Sequence, residues 1–175
     1  TVKEFVGDIG NEADRLNRTT AKLLSLTKVD SREEIDSEII YMEPTIRRVT
    51  RMLTPMANEA NVQIELDLQQ DAPVLLLEDD LYQIVFNLME NGIKYNTDGG
   101  TLSVTLMRQE ETASLIISDS GMGIPDDAVG HIFERFYRVD KARSRESGGT
   151  GLGLSIAQEI IQRHEGSLSL VDREG

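Results

Sequence analysis

The spacing of apolar residues changes repeatedly between residues 37 and 171, and this alternation limits the possible folds more than any other feature of the chain. Residues 62–68 and 101–109 have apolar side chains at every second position, which is the spacing of a half-buried strand. Residues 44–61 and 79–96 have the three-and-four spacing of an amphipathic helix. Because neighbouring strands are interspersed with helices, residues 37–175 are predicted to form one α/β domain with a mixed sheet.

The remaining segments complete this domain. Further strands are predicted at 37–43, 73–78, 113–119 and 167–171, and further helices at 127–136 and 151–166. Gly166 is expected to end the last helix. Pro44 lies near the first turn of the helix over 44–61, where proline is tolerated, whereas Pro55 lies inside that helix and predicts a kink or a break.

Residues 1–28 are predicted to form a long helix ahead of this domain. A stripe along it has the four-and-three spacing of a helical bundle: Val2, Val6, Ile9, Ala13, Leu16, Thr20, Leu23 and Thr27. The helix could pack on its own domain, but an acidic stretch from Val29 to Asp36 separates the two. Because such a stripe requires a partner, we expect a homodimer formed through this helix.

Charge and composition exclude several classes of protein. The chain has 18 basic and 31 acidic residues, a net charge of −13, which argues against nucleic acid binding and against direct contact with anionic membranes. It has no cysteine and 2 histidines, which excludes disulfides, thiolate nucleophiles and multi-histidine metal sites. No apolar run is long enough to span a bilayer.

The helix over 79–96 contains the segment NLMENGIKY, in which two asparagines and a lysine recur about one turn apart. Its predicted buried face consists of Leu81, Ile84, Val85, Leu88, Gly92 and Ile93. Asn87, Asn91 and Lys94 line one edge of that face, and Glu90 lies opposite it. Amide oxygens suit Mg²⁺ and a lysine neutralises phosphate oxygens, so this edge is a candidate Mg²⁺–phosphate site. The alternative is that both amides hydrogen-bond to neighbouring backbone.

The segment SDSGMGIP, residues 118–125, places Asp119 at the end of a predicted strand. Gly121 and Gly123 let the backbone turn sharply and approach a flat ligand. A carboxylate accepts hydrogen bonds only, so Asp119 suits an exocyclic amine such as that of adenine. The alternative is a tight turn in which Asp119 acts as a cap.

A second glycine cluster, GGTGLGLSI at 148–156, precedes a predicted helix whose free backbone amides suit a phosphate group. It has neither the Gly-Lys-Ser/Thr ending of a P-loop nor the third glycine of a Rossmann fingerprint, and a flexible linker is the alternative. Basic residues between the two clusters predict a mobile lid over a triphosphate: Arg135, Arg138, Lys141, Arg143 and Arg145.

The order of NLMENGIKY, DSGMGIP, FERFYR and GGTGLGLSI strongly resembles the N, G1, F and G2 boxes of sensor histidine kinases. These kinases share a superfamily with gyrase, heat-shock chaperones and mismatch-repair proteins. The resemblance implies a two-layer α+β sandwich, with a mixed sheet and a layer of helices that hold Mg–ATP beneath a flexible lid. It also implies that residues 1–30 are the second helix of a dimerisation and phosphoacceptor hairpin, and that residues 37–175 are an ATP-binding catalytic domain.

The resemblance assigns roles to individual residues. Asn87 and Asn91 correspond to the N-box asparagines that bind Mg²⁺, and Lys94 lies near the phosphates. The nucleotide-binding positions are Tyr95, Asp119, Gly121, Gly123, Arg138, Gly149, Thr150, Gly151, Leu152 and Gly153. ATPases of the superfamily place a glutamate, as the general base for water, four residues before the metal-binding asparagine. Asn87 occupies that position here and an amide cannot accept a proton from water, so phosphoryl transfer is expected rather than hydrolysis.

The implied activity is transfer of the ATP γ-phosphoryl group to a histidine, and then to an aspartate of a response regulator receiver domain. The family's phosphoacceptor motif is absent, and His131 and His164 match family positions outside it, where structural roles are expected. We therefore expect a fragment of a longer sensor rather than a degenerate member of the family. The resemblance implies the cytoplasmic domain of a membrane-anchored bacterial sensor. The alternatives are an ATP hydrolase of the same superfamily and a non-catalytic nucleotide-binding module.

Overall fold

The computed structural model describes residues 37–69, 72–139 and 150–171. The predicted helix over 1–28 and the acidic stretch after it lie outside the described residues. So does most of the loop over 137–150, called the basic loop below. The helices and strands of the described part are β1 Glu38–Tyr41, α1 Met42–Glu59, β2 Gln63–Leu68, β3 Pro73–Leu76, α2 Glu78–Lys94, β4 Thr101–Gln109, β5 Thr112–Asp119, α3 Asp126–Val129 and α4 Gly153–Arg163. None of these helices is long and apolar enough to cross a membrane.

The strands form two sheets. The larger one has the order β2-β4-β5, with β2 parallel to β4 and β4 antiparallel to β5. The smaller one is the antiparallel pair β1-β3, in which Ile39 lies opposite Leu75. The predicted mixed sheet is therefore confirmed, while β1 and β3 pair separately from it. The register places Leu66 beside Val104 and Val104 beside Ile117, so apolar residues of all three strands share one face.

A layer of helices covers that face, and α2 is its central member. This helix contacts α1 and α4 on either side and β4 and β5 beneath it. The most deeply buried side chains come from α1, α2, β4 and α4: Ile46, Val49, Val85, Met89, Ile93, Leu102, Val104, Leu106, Ile156 and Ile160. Full burial of each such side chain stabilises the fold by about 1.5–3 kcal/mol. The two-layer α/β architecture is thus confirmed, with one core cluster between its layers.

Helix α1 is not broken at Pro55, so the predicted break is wrong. The helix is continuous over 18 residues and is not split there, and it begins two residues before Pro44. Leu53 and Ala57, on either side of Pro55, are both buried in the core, and this packing stabilises the helix across the proline. The hydroxyl of Thr54 donates to the Thr50 carbonyl at 2.7 Å, within the same turn of helix.

Three other predictions about the elements are wrong. The helix expected over 127–136 ends at Val129, and turns follow it. Helix α4 ends at Arg163 and not at Gly166, because Glu165 adopts the left-handed conformation with φ of +61°. Residues 167–171 form no strand in the described structure, and Val171 is largely exposed instead of packing on the core.

Candidate functional site

Helix α2 carries the polar edge that its sequence predicts, but with one difference in depth. Asn91 and Lys94 are half-buried, whereas Asn87 is only 2% exposed. The predicted buried face is also slightly rotated, because Met89 is fully buried and Leu88 is only partly so. Asn87 thus lies inside the helix layer rather than at its rim.

Asn87 contacts the start of α4. A Cβ atom added to Gly153 would lie 3.5 Å from Asn87 Oδ1, so these two segments pack closely. Leu152, the residue before α4, is fully buried, and within the described residues this N-cap position has no side-chain capping hydrogen bond. The free backbone amides at the N-terminus of α4 are therefore available to an acceptor next to Asn87.

The segment before α4 is joined to the end of the turns that follow α3. The Phe136 amide donates to the Gly151 carbonyl at 2.9 Å. Gly151 has a φ of +70°, and a Cβ atom there would lie 2.8 Å from the Tyr137 carbonyl oxygen. Only glycine fits this combination of backbone conformation and close approach. The two ends of the basic loop are thus held together by backbone atoms.

Asp119 ends β5 and is exposed beside α2. Its Oδ1 accepts a hydrogen bond from the Gly121 amide at 2.8 Å, which orients the carboxylate. A Cβ atom on Gly121 would clash with the carbonyl oxygen of Tyr95, so the turn after β5 packs directly on the end of α2. The structure therefore brings the first glycine motif and the asparagine helix together, as the sequence predicts.

Tyr95, the residue that follows α2, is 41% exposed. Burial raises the pKa of its hydroxyl above the ordinary value, and the nearby Glu90 carboxylate acts in the same direction. The guanidinium of Arg138 lowers this pKa and only partly opposes the burial. The hydroxyl is consequently neutral at physiological pH and can donate a hydrogen bond.

Several buried polar atoms near these segments have no hydrogen-bond partner within the described residues. They are Asn87 Nδ2, Arg138 Nε and Nη2, and Thr150 Oγ1. An unsatisfied buried donor costs about 1–3 kcal/mol. All these atoms can donate, and phosphate oxygens are acceptors, so a phosphate-bearing ligand fits the polar groups that are present.

The sequence motifs missed some polar contacts of this region. Asn96, just beyond α2, hydrogen-bonds to three neighbouring segments, and its only sequence signal is that asparagine favours the residues after a helix. Arg135 forms two hydrogen bonds with Glu159 of α4, at 2.7 and 2.8 Å. Gly149 lies outside the described residues, so its predicted role stays a prediction.

The two histidines make different contacts, and the ring of His131 lies near that of Tyr137, with centroids 5.5 Å apart. His164 is buried at the end of α4 and is hydrogen-bonded through Nε2 to Asp80 at 2.9 Å and through Nδ1 to Ser37 at 3.3 Å. His131 is more than half exposed, with Nδ1 lying 2.7 Å from Glu134 Oε1. His164 thus links the end of α4 to the first turn of α2, whereas the contact of His131 is local.

Known proteins resemble the chain in both sequence and fold. The family described as "Histidine kinase-, DNA gyrase B-, and HSP90-like ATPase" matches residues 77–175. Sensor histidine kinase RppB of Synechocystis sp. is 36% identical over 171 residues, which cover 97% of this chain and 38% of RppB. The chain therefore spans little more than a third of that relative.

Solved structures of histidine kinases resemble the chain in fold. The mycobacterial sensor histidine kinase MprB superposes with a TM-score of 0.64 at 27% identity, over 74% of this chain and 80% of that one. A crystal structure of histidine kinase ThkA in complex with the response regulator protein TrrA gives a TM-score of 0.72 at 21% identity, over 95% of this chain and 46% of that one. This second likeness concerns the fold alone.

Proposed function

The chain belongs to the histidine kinase-, DNA gyrase B- and HSP90-like ATPase family, and we therefore propose that it binds Mg–ATP for phosphoryl transfer to a histidine. The binding site consists of α2, the turn after β5 and the N-terminus of α4. The observation that carries this proposal is the set of buried donors on Asn87, Arg138 and Thr150 that find no acceptor in the part of the chain that the structure describes. They belong to segments that meet around Gly151 and Gly153, where phosphate oxygens would satisfy them.

Each part of the site has a separate role in this proposal. Asn91 and Asn87 supply amide oxygens to Mg²⁺, which would neutralise phosphate charge when bound. Lys94 and Arg138 bind phosphate oxygens, together with the backbone amides at Gly149–Gly153. Asp119 accepts a hydrogen bond from the adenine amino group, beside Gly121, Gly123 and Tyr95.

Asn87 also favours transfer over hydrolysis. Hydrolysis needs a group near the γ-phosphate that takes a proton from water, and an amide cannot do so at neutral pH. Within the described residues, Asn87 occupies the place in α2 that packs against the first residue of α4. A histidine that enters the site from elsewhere would bring its own nucleophilic nitrogen and would not need such a base.

The partners follow from the same proposal. We propose that a histidine other than His131 and His164 is the acceptor, because neither lies in a phosphoacceptor motif. The phosphoryl group then passes to a response regulator receiver domain, a class of protein with which ThkA has been crystallised. Residues 1–30 would form half of a dimerisation hairpin. The chain would be the cytoplasmic domain of a membrane-anchored bacterial sensor that binds no nucleic acid.

The test is a calorimetric titration of the chain with a non-hydrolysable ATP analogue, with and without Mg²⁺. We expect Mg²⁺-dependent binding that Asn91→Ala weakens by about tenfold or more, because an amide ligand of the metal is lost. Asn58→Ala is the matched control, since Asn58 is exposed on α1, and it should bind like the native chain. A native chain that is folded by circular dichroism but does not bind the analogue would refute the proposal.

A further inference from the structure

We infer that Asn96 is a positioning residue that sets the distance between the adenine-reading Asp119 and the phosphate-binding side of α2. The inference rests on the function proposed above. Asn96 lies just beyond α2, and its side chain is half-buried. Its polar atoms are engaged within the protein, so its role is to place other residues and not to contact the nucleotide.

The hydrogen bonds of Asn96 use the full capacity of an amide side chain. Nδ2 donates to the Gly92 carbonyl and to the Thr101 carbonyl, each at 3.0 Å. Oδ1 accepts from the Ser120 hydroxyl at 3.0 Å and from the Thr97 amide at 2.9 Å. Two donors and two acceptors are the complete inventory of this group, and neither aspartate nor threonine can reproduce it. One side chain thus joins the end of α2, the start of β4 and the turn after β5.

Ser120 connects Asn96 to the proposed adenine-binding residue Asp119. Its hydroxyl accepts from the Thr101 amide at 2.8 Å while it donates to Asn96, and its own amide donates to the Thr101 carbonyl at 3.0 Å. Ser120 lies between Asp119 and Gly121, the two residues joined by the hydrogen bond that orients the Asp119 carboxylate. A displacement of Ser120 would therefore move that carboxylate.

Close packing leaves this network little freedom. A Cβ atom on buried Gly100 would clash with Asn96 Oδ1 and lie 2.7 Å from Ser120 Oγ. On the other side, the backbone of Gly121 rests on the Tyr95 carbonyl. Because the turn is held from both sides, the loss of Asn96 should change the position of Asp119 rather than be absorbed by a small local shift.

The experiment compares the affinities of non-hydrolysable ATP and GTP analogues for the native chain, Asn96→Ala and Asn96→Asp. Both variants lose the donors to Gly92 and Thr101. We expect the ATP analogue to bind about tenfold more weakly and the GTP analogue to be affected less, so that the preference for adenine falls by about fivefold or more. Loss of stability alone would weaken both analogues equally.

Asn61→Ala is the matched control. Asn61 also donates across a turn, to Asp98 Oδ1 at 2.9 Å, and holds a φ of 52°, so its replacement destabilises the chain without touching Ser120. It should retain the native adenine preference. An unchanged ratio of the two affinities in Asn96→Ala would overturn the inference, whereas failure of the native chain to bind either analogue would overturn the proposed function.

A second readout does not depend on the nucleotide. In the ligand-free chain, Asn96→Ala should shift the backbone amide resonances of Ser120 and Gly121 and leave those of α1 in place. Asn61→Ala should leave the resonances of Ser120 and Gly121 in place. Unshifted resonances at Ser120 and Gly121 would show that the side chain does not hold the turn, and would overturn the inference even if the chain binds no nucleotide.

Discussion

Three glycines of this domain differ in backbone conformation and in the space around a Cβ atom, so together they show how each factor affects stability. Gly130 has a φ of −71° and open space around its Cβ position. Gly123 has a φ of +71° with equally open space. Gly151 combines a φ of +70° with backbone atoms of Phe136 and Tyr137 within 3.0 Å of a Cβ. Replacement by alanine should therefore meet no obstacle at Gly130, an unfavourable φ at Gly123, and both an unfavourable φ and a steric clash at Gly151.

Replacement of each glycine by alanine should destabilise the chain in that order. We expect a change within about 0.5 kcal/mol for Gly130→Ala and a loss of roughly 1–2 kcal/mol for Gly123→Ala, the cost of a left-handed residue. Gly151→Ala should lose about 3 kcal/mol or more, because its clash is with backbone that cannot rotate away. Urea denaturation measures these free energies. A Gly151→Ala variant as stable as Gly123→Ala would contradict the predicted clash.

At the scale of secondary structure, His164 shows how one side chain can hold two helices together. It is 5% exposed and spans from the end of α4 to Asp80 in the first turn of α2. The Ser37 hydroxyl, at the start of the described chain, contacts its other ring nitrogen. The contacts join residues that are far apart in sequence, so they contribute to tertiary packing rather than to one helix.

We expect His164→Ala to reduce the free energy of unfolding by about 2 kcal/mol, because it leaves the partly buried Asp80 carboxylate without a donor. His131→Ala is the matched control. His131 is 54% exposed and its partner lies three residues away, so its loss should change stability by no more than about 0.5 kcal/mol. Denaturant titration of both variants checks this difference. Equal losses would show that the buried contact contributes no more than the exposed one.

The same scale shows what local sequence can and cannot predict. The predicted strand over 101–109 matches β4, and the helix over 79–96 matches α2 to within two residues, because each has a long periodic pattern. SLSLV at 167–171 alternates as well, but a strand also needs a neighbour, and no local pattern specifies pairing. The break predicted at Pro55 is absent for a related reason, since the packing of Leu53 and Ala57 outweighs local propensity.

Some residues of the candidate site could be predicted from the sequence and others could not. Asn91, Asp119 and the glycines belong to contiguous motifs, so sequence alone could identify them and the structure brings the described ones together. The partners of Asn96 lie at residues 92, 97, 101 and 120, in separate segments. Only the fold unites them, which is why the sequence gives little sign of this network.

For the whole molecule, the proposed site lies where the helix layer and the ends of the strands meet. Its groups come from α2, β5 and α4, all of which contribute to or adjoin the single core cluster. A ligand bound there would contact segments that separate on unfolding. Binding should therefore stabilise the whole domain, because the unfolded chain has no such site.

Bound nucleotide should raise the stability of the domain by a measurable amount. With Mg²⁺ and an ATP analogue at about 100 times its Kd, the free energy of unfolding should rise by about 2.7 kcal/mol. For a chain of this size, that raises the Tm by about 5–10 °C. Differential scanning calorimetry measures the shift. Asp119→Ala should lose most of it, whereas Asp67→Ala, on the exposed side of β2, should keep it. The same Tm shift in both variants would show that Asp119 does not contribute to nucleotide binding.

The hydrogen bond between Phe136 and Gly151 has a consequence for how the basic loop can vary in length. Because backbone atoms at its two ends close the loop, the residues between them do not have to fix the position of α4. Doubling the length of a flexible closed loop costs only about 0.6 kcal/mol in closure entropy. A change in the number of residues between these two points is therefore inexpensive for the fold.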